Sequence, residues 1–184
     1  MAHQFTTSHV KDSIDLFRYY KRLTERAIEQ CPDSGLFATL DDESNCIAII
    51  VKHMTGNMRS RWMNFLTSDG EKPDRNRDTE FEAPPNTREE MLALWEQGWT
   101  YLFEALEPLN DADSSRTVMI RTEPHSVTQA INRQIAHYSY HVGQIVFLAK
   151  HFAATGGKWS AVTVPRHRSA EFNARVASGE ASQR

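Results

Sequence analysis

The chain has 184 residues, 40% apolar and 24% charged, with 24 acidic against 21 basic side chains and a formal net charge of −3. That length suits one domain with one core, and the near-balanced charge lacks the strong basic excess of a general nucleic-acid binder. We expect a single domain over 1–184, with a core at about 10–155 and a tail at about 158–184.

Cys31 and Cys46 are separated by fourteen intervening residues with no C-x-x-C pattern, which excludes a zinc ribbon or a dithiol motif and suits a reducing compartment. Met1 to Ser13 is polar and has no apolar signal core, and no apolar run is long enough to span a bilayer. The expectation is a cytoplasmic protein that acts on a small molecule, with neither nucleic acid nor membrane as partner.

Four segments carry helical periodicity. The first runs from Val10 to Gln30, with Ile14 three before Phe17, Leu23 four before Ala27 and Ile28 beside it, and Pro32 to Gly35 break it. The second follows the acidic Asp41-Asp42-Glu43-Ser44, whose serine is a predicted cap, and extends to about Leu66 through Ile47, Ile50, Met54, Met58 and Trp62. From Thr67 to Asn86 the chain is polar and broken by Gly70, Pro73, Pro84 and Pro85. A connection of that length in a compact domain is a candidate rim or lid, the alternative being a mobile insertion.

The third helix opens on the capping box Thr87-Arg88-Glu89-Glu90 and ends before Pro108. Its Gly98 sits between Trp95 and Trp99, where a missing side chain lets another helix approach. Arg116 to Thr122 reads as a short strand closed by Glu123-Pro124. The fourth helix starts near His125 or Ser126, on the capping box Ser126-Val-Thr-Gln129, and runs to about Ala153 before Gly156-Gly157. Its stretch from Gln134 to Ala149 carries no formal charge, so this helix is expected to be the most buried. The fold class is all-α, a four-helix bundle with long crossover connections, since 67–86 and 107–125 are too long for simple up-down turns, and at most a short strand or hairpin near 116–122.

Within the fourth helix, His137 and His141 are four apart, a spacing that rotates the helix by about 40° and advances it about 6 Å, so both imidazoles leave one face. Two imidazoles on an apolar helix need partners, because burying them bare is costly. The second helix supplies His53 in its apolar middle. Three histidines from two packed helices form a candidate metal site with coordination positions left open, the arrangement of catalytic rather than structural zinc, in which bound water turns acidic. The alternative for His53 is a hydrogen bond to a backbone or side-chain group. Asn57, Gln134, Tyr138 and Gln144 are candidate supporting residues around the ligands. His3, His9, His125 and His167 lie at ends and turns, and His151 is about 15 Å along the helix from His141.

No H-E-x-x-H, Ser-His-Asp order or Gly-rich phosphate loop is present, so no catalytic residue of a familiar hydrolase can be named. Arg59, Arg61, Arg75 and Arg77 can meet an anionic group if the 67–86 segment folds over the histidines, and are otherwise solvated surface charges.

These residues resemble a known group. His53-Met-Thr-Gly-Asn57, Asp69-Gly-Glu-Lys-Pro73, Arg75-Asn-Arg-Asp78 and the run from Gln129 through His137-Tyr-Ser-Tyr-His141 to Gln144 are similar to a bacterial subgroup of the DinB-like (YfiT-like) four-helix-bundle superfamily of metal-dependent enzymes. The resemblance implies a divalent metal, zinc or nickel, on His53, His137 and His141, and a homodimer. Through relatives that use bacillithiol or mycothiol, it also implies a low-molecular-weight thiol transferred to a small electrophile. Metal-dependent hydrolysis of a small amide or ester is the second reading. A non-catalytic stress-related or interaction bundle, with a structural metal or none, is the third.

Overall fold

A computed structural model describes residues 4–154 and 159–182. The predicted Gly156-Gly157 stop and His3 lie outside them. Four long helices form the bundle: α1 (His9–Ile28), α3 (Ile47–Trp62), α4 (Arg88–Leu106) and α5 (Val127–Ala154), with a short α2 (Asp33–Leu36) in the first connection and α6 (Ser169–Ala177) in the tail. Neither α2 nor α6 was expected from periodicity, because one is a single turn and the other follows a polar stretch. The expected all-α class is what the structure shows.

Side-chain caps set three of the four long-helix starts. Ser8 accepts from the Lys11 amide at α1, and Thr87 accepts from the Glu90 amide at α4. At α5 the capping box is reciprocal: Ser126 Oγ accepts from the Gln129 amide, and Gln129 Oε1 accepts from the Ser126 amide. Ser44 does not cap the second long helix. Its hydroxyl donates to Asp41 within a turn, and α3 begins three residues later after Cys46.

α1 packs broadly on α5 and α3 on α4, with narrower interfaces between α3 and α5 and between α1 and α4. Those pairings close a ring in which α1 lies diagonal to α3, and α4 to α5. The crossovers are therefore the 29–46 and 107–126 connections. The 67–86 segment joins neighbouring helices, contrary to expectation, and its length serves the site instead.

The burial order also differs from the expectation. Thirteen of the sixteen residues of α3 are buried, whereas α5 leaves Tyr140 61% and Phe147 62% exposed. Absence of charge did not mean burial, because the outer face of α5 is uncharged but still open to solvent. The interior is aromatic: Phe17, Trp62, Trp95, Trp99 and Tyr138 are fully buried, and Phe17 lies 5.8 Å from Tyr138 and 6.3 Å from Trp62 between ring centroids.

The strand expected to end at Glu123-Pro124 is half of a hairpin. β1 (Thr117–Ile120) pairs antiparallel with β2 (Glu123–Ser126), placing Met119 opposite Pro124 and Ile120 opposite Glu123. The two turn residues, Arg121 and Thr122, both have positive φ, as a type I′ turn requires. A β-branched residue is strained there, and the Asp69 carboxylate holds the turn by accepting from the amides of Arg121 at 2.8 Å and Thr122 at 2.7 Å. The Gly70 amide also donates a hydrogen bond to the Met119 carbonyl at 2.7 Å. The Asp69-Gly70 motif thus fastens the 67–86 segment to the hairpin.

Gly98 does admit the neighbouring helix. A Cβ there would stand 2.9 Å from Met58 Sδ and 3.2 Å from the Thr55 Cα on α3, whereas a Cβ on Gly143 of α5 would meet nothing within 4 Å. Opposite effects follow. Gly98→Ala overpacks the α3–α4 contact and is expected to lose about 1–2 kcal/mol after the gain in helix propensity, and Gly143→Ala to gain about 1 kcal/mol. Urea denaturation of both variants checks this; a stabilised Gly98→Ala would contradict the close packing.

Candidate metal centre

His53 on α3 meets His137 and His141 on α5 where these helices cross. The Nε2 atoms of His53 and His137 are 3.4 Å apart, those of His141 and His137 3.1 Å, and the three ligand atoms all lie within 4.8 Å of one another. Three nitrogens around a tetrahedral ion at 2.0–2.1 Å would be about 3.3 Å apart. His53 and His141 are buried and His137 is half-buried.

The outer nitrogens fix the protonation pattern. His53 Nδ1 is 2.8 Å from Glu80 Oε2. Burial pushes the Glu80 carboxyl up, but hydrogen bonds from His53 and Arg75 hold it below the ordinary range. An ionised carboxylate only accepts, so Nδ1 carries the proton and Nε2 presents a lone pair. His141 Nδ1 lies 2.8 Å from Gln144 Oε1, which likewise leaves its Nε2 unprotonated. His137 Nδ1 is buried without a hydrogen-bond partner among the described residues. Burial first, and the neighbouring histidines second, lower His137 from 6.5 to about 3; burial lowers His141 to about 4 against the opposing bond to Gln144. At neutral pH these two imidazoles are neutral and available as ligands.

Glu80, absent from the residues singled out in the sequence, sits in the 67–86 segment and is 6% exposed. Arg75 grips it with two bonds, Nε to Oε1 at 2.7 Å and Nη2 to Oε2 at 2.9 Å. The segment is a built wall. Lys52, next to His53, donates to the carbonyls of Thr79, Glu82 and Ala83 at 2.7, 2.8 and 3.1 Å, and Phe81 stacks on the His53 ring at 4.6 Å. Gly56 makes the room: a Cβ there would stand 2.4 Å from Glu80 Oε1. A glycine three residues after His53 in an apolar helix was the available sequence signal for something entering beside the histidine.

Of the four expected supporting residues, Gln144 touches a histidine. Tyr138 is in the core, where its hydroxyl accepts from Trp62 Nε1 at 3.0 Å and donates to Asn57 Oδ1 at 3.1 Å. Asn57 and Gln134 line a cavity of about 210 Å³ that also exposes His53 and His137. Of the expected arginines, Arg61, Arg75 and Arg77 line the cavity, and Arg59 instead pairs with Asp74 at 2.5 Å. His9 bonds Asn132 at 3.0 Å and His125 a backbone carbonyl.

Bundle and site together define a helical protein whose three histidines can hold a metal ion. The chain belongs to the family described as "Protein of unknown function (DUF1572)", which matches residues 4–168. No match was found among curated proteins or among solved structures. No helix among the described residues is long and apolar enough to cross a membrane.

Two outcomes are expected. Glu80→Gln, and Gly56→Ala by displacing Glu80, should weaken zinc binding roughly 10- to 100-fold with the fold retained by circular dichroism; competition with a chromophoric chelator measures it. In metal-free protein, the unfolded chain binds protons at His137 and His141 below pH 6.5 while the folded chain does not. Their contribution to stability is present above pH 6.5 and is lost as pH falls toward about 3 to 4. Urea titrations between pH 7 and 4 should show that decline, flattened in His137→Asn.

Proposed function

We propose that the protein is a divalent-metal-dependent enzyme that transfers a low-molecular-weight thiol to a small electrophilic substrate, in line with its resemblance to DinB-like bundles. The observation that carries the reading is the convergence of three Nε2 atoms, two of them fixed as lone-pair donors by Glu80 and Gln144, beside a polar cavity. A zinc or nickel ion bound there supplies Lewis acidity and lowers the pKa of a coordinated thiol.

The chain's own groups bind and orient. Glu80 keeps His53 in one tautomer, Phe81 and Lys52 hold the wall beside it, and Asn57 keeps its amide nitrogen for the cavity because its oxygen is occupied by Tyr138. Cys31 and Cys46 are buried apart from the site, so the thiol is supplied from outside the chain. Hydrolysis of an amide is favoured less, since it also needs an acid for the leaving amine. Glu80 and Glu71 are committed to arginines, and the cavity lining contains no carboxylate.

Untagged protein purified without a nickel column should contain about one divalent ion per chain by mass spectrometry, lost in a His137→Ala/His141→Ala variant. A wild type that stays empty after incubation with zinc, nickel and manganese would overturn the metal reading. With the ion present, consumption of an electrophile should require an added thiol; turnover in its absence would favour hydrolysis.

A further inference from the structure

The cavity beside the histidines is lined by five arginines, Arg61, Arg75, Arg77, Arg121 and Arg133, and by no acidic residue. They come from four places: α3, the 67–86 segment, the hairpin turn and α5. Like charges gathered around one small space repel, and among the described residues two carboxylates pair with them. Glu71 accepts from Arg61 at 3.1 Å, Arg75 at 3.3 Å and Arg121 at 3.0 Å, and Glu80 accepts from Arg75. Burial pushes Glu71 up, but these arginines hold its carboxyl below the ordinary range.

Arg133 has no carboxylate partner among the described residues. Neither has Arg77, whose guanidinium lies 4.9 Å over the Phe81 ring. The polar groups between them are also undersupplied. Gln134 is 2% exposed and, among the described residues, its carboxamide oxygen has no hydrogen-bond partner and the buried Arg61 Nε no acceptor. Arg61 is 5% exposed, whereas Arg77 and Arg133 are exposed and can meet a ligand arriving from solvent.

We propose that this cavity is an oxyanion subsite: it takes a carboxylate or phosphate group of the small substrate or thiol, held by Arg77 and Arg133 with Asn57 and Gln134 beside them. The assignment rests on the proposed metal centre for the position of the reacting group, and on the arginines alone for the anion. A volume of about 210 Å³ equals roughly seven waters at about 30 Å³ each, room for one short anionic group rather than a nucleotide or a polymer. Planar guanidinium forks suit two-oxygen acceptors, and the site's positive field draws such ligands in.

The test is isothermal titration calorimetry of the full chain in chloride buffer at low ionic strength, with malonate and inorganic phosphate as probes. It uses metal-free and zinc-loaded protein, an Arg77→Gln/Arg133→Gln variant, and Arg175→Gln on the exposed α6 as a control for general charge. Saturable binding of at least one probe is expected, weakened about tenfold or more in the double variant and unchanged in the control. Preference between the probes tells carboxylate from phosphate. No binding in either form, or binding that the arginine pair does not affect, would overturn the subsite. Metal analysis on the same samples keeps the two readings apart. Protein that takes up no zinc yet binds an anion through the pair fails the metal reading alone. A probe that needs zinc and ignores the pair fails the subsite alone.

Discussion

Three imidazole nitrogens within 4.8 Å of one another, that of His137 at 3.4 and 3.1 Å from the other two, form an arrangement in the interior of a bundle that neutral histidines do not adopt without compensation. Two of the nitrogens present lone pairs to the same region, because the protons of His53 and His141 are held on the far side of each ring by Glu80 and Gln144. A proton on His137 satisfies one of them well at most, while a divalent cation would satisfy all three, and the two separations from His137 are already close to those of a tetrahedral ion. Much of the surrounding construction serves that geometry: a glycine that opens α3, a carboxylate that enters through the opening, an arginine fork that fixes the carboxylate, and a lysine that ties the intervening chain to the same helix.

The histidines are also connected to the deepest part of the core. Tyr138 follows His137 and points the other way, into the aromatic interior, where Trp62 and Asn57 take both hydrogen-bonding roles of its hydroxyl. Trp62 and Asn57 lie on α3 with His53, so the α3–α5 crossing that sets the nitrogen separations is pinned by a buried polar chain one residue from the site. A buried hydroxyl with both roles satisfied resists sliding of the two helices, since any shift would leave a polar atom unpaired.

Much of this was legible in the amino-acid sequence, for a definite reason. His137 and His141 share a face because of helical spacing, and His53 stood out because an imidazole in an apolar stretch needs a partner. The capping boxes at Thr87 and Ser126 located two helix starts because both motifs are local. Glu80 was not legible: its role depends on a turn of chain folding back over α3, a long-range event, and in sequence it is one acid among several in a polar segment. The outer face of α5 misled for the complementary reason. Tyr140, Gly143 and Phe147 read as interior by their lack of charge, yet nothing in the described chain covers them. Loop length marked the crossover at 107–126 and not the one at 29–46, because length alone does not say which helices are neighbours.

The hairpin turn at Arg121-Thr122 has a wider implication. The three candidate ligand nitrogens are carried by two long helices locked through the core, whereas Arg75, Arg77 and Arg121 of the cavity wall come from connecting segments that Asp69, Gly70 and Glu71 fasten to one another. Such a division separates inheritance of the reaction from inheritance of its specificity. Replacement at the turn can alter which molecules are admitted without disturbing the helices that hold the histidines, so descendants of one ancestral bundle could diversify by exchanging a few residues at its rim.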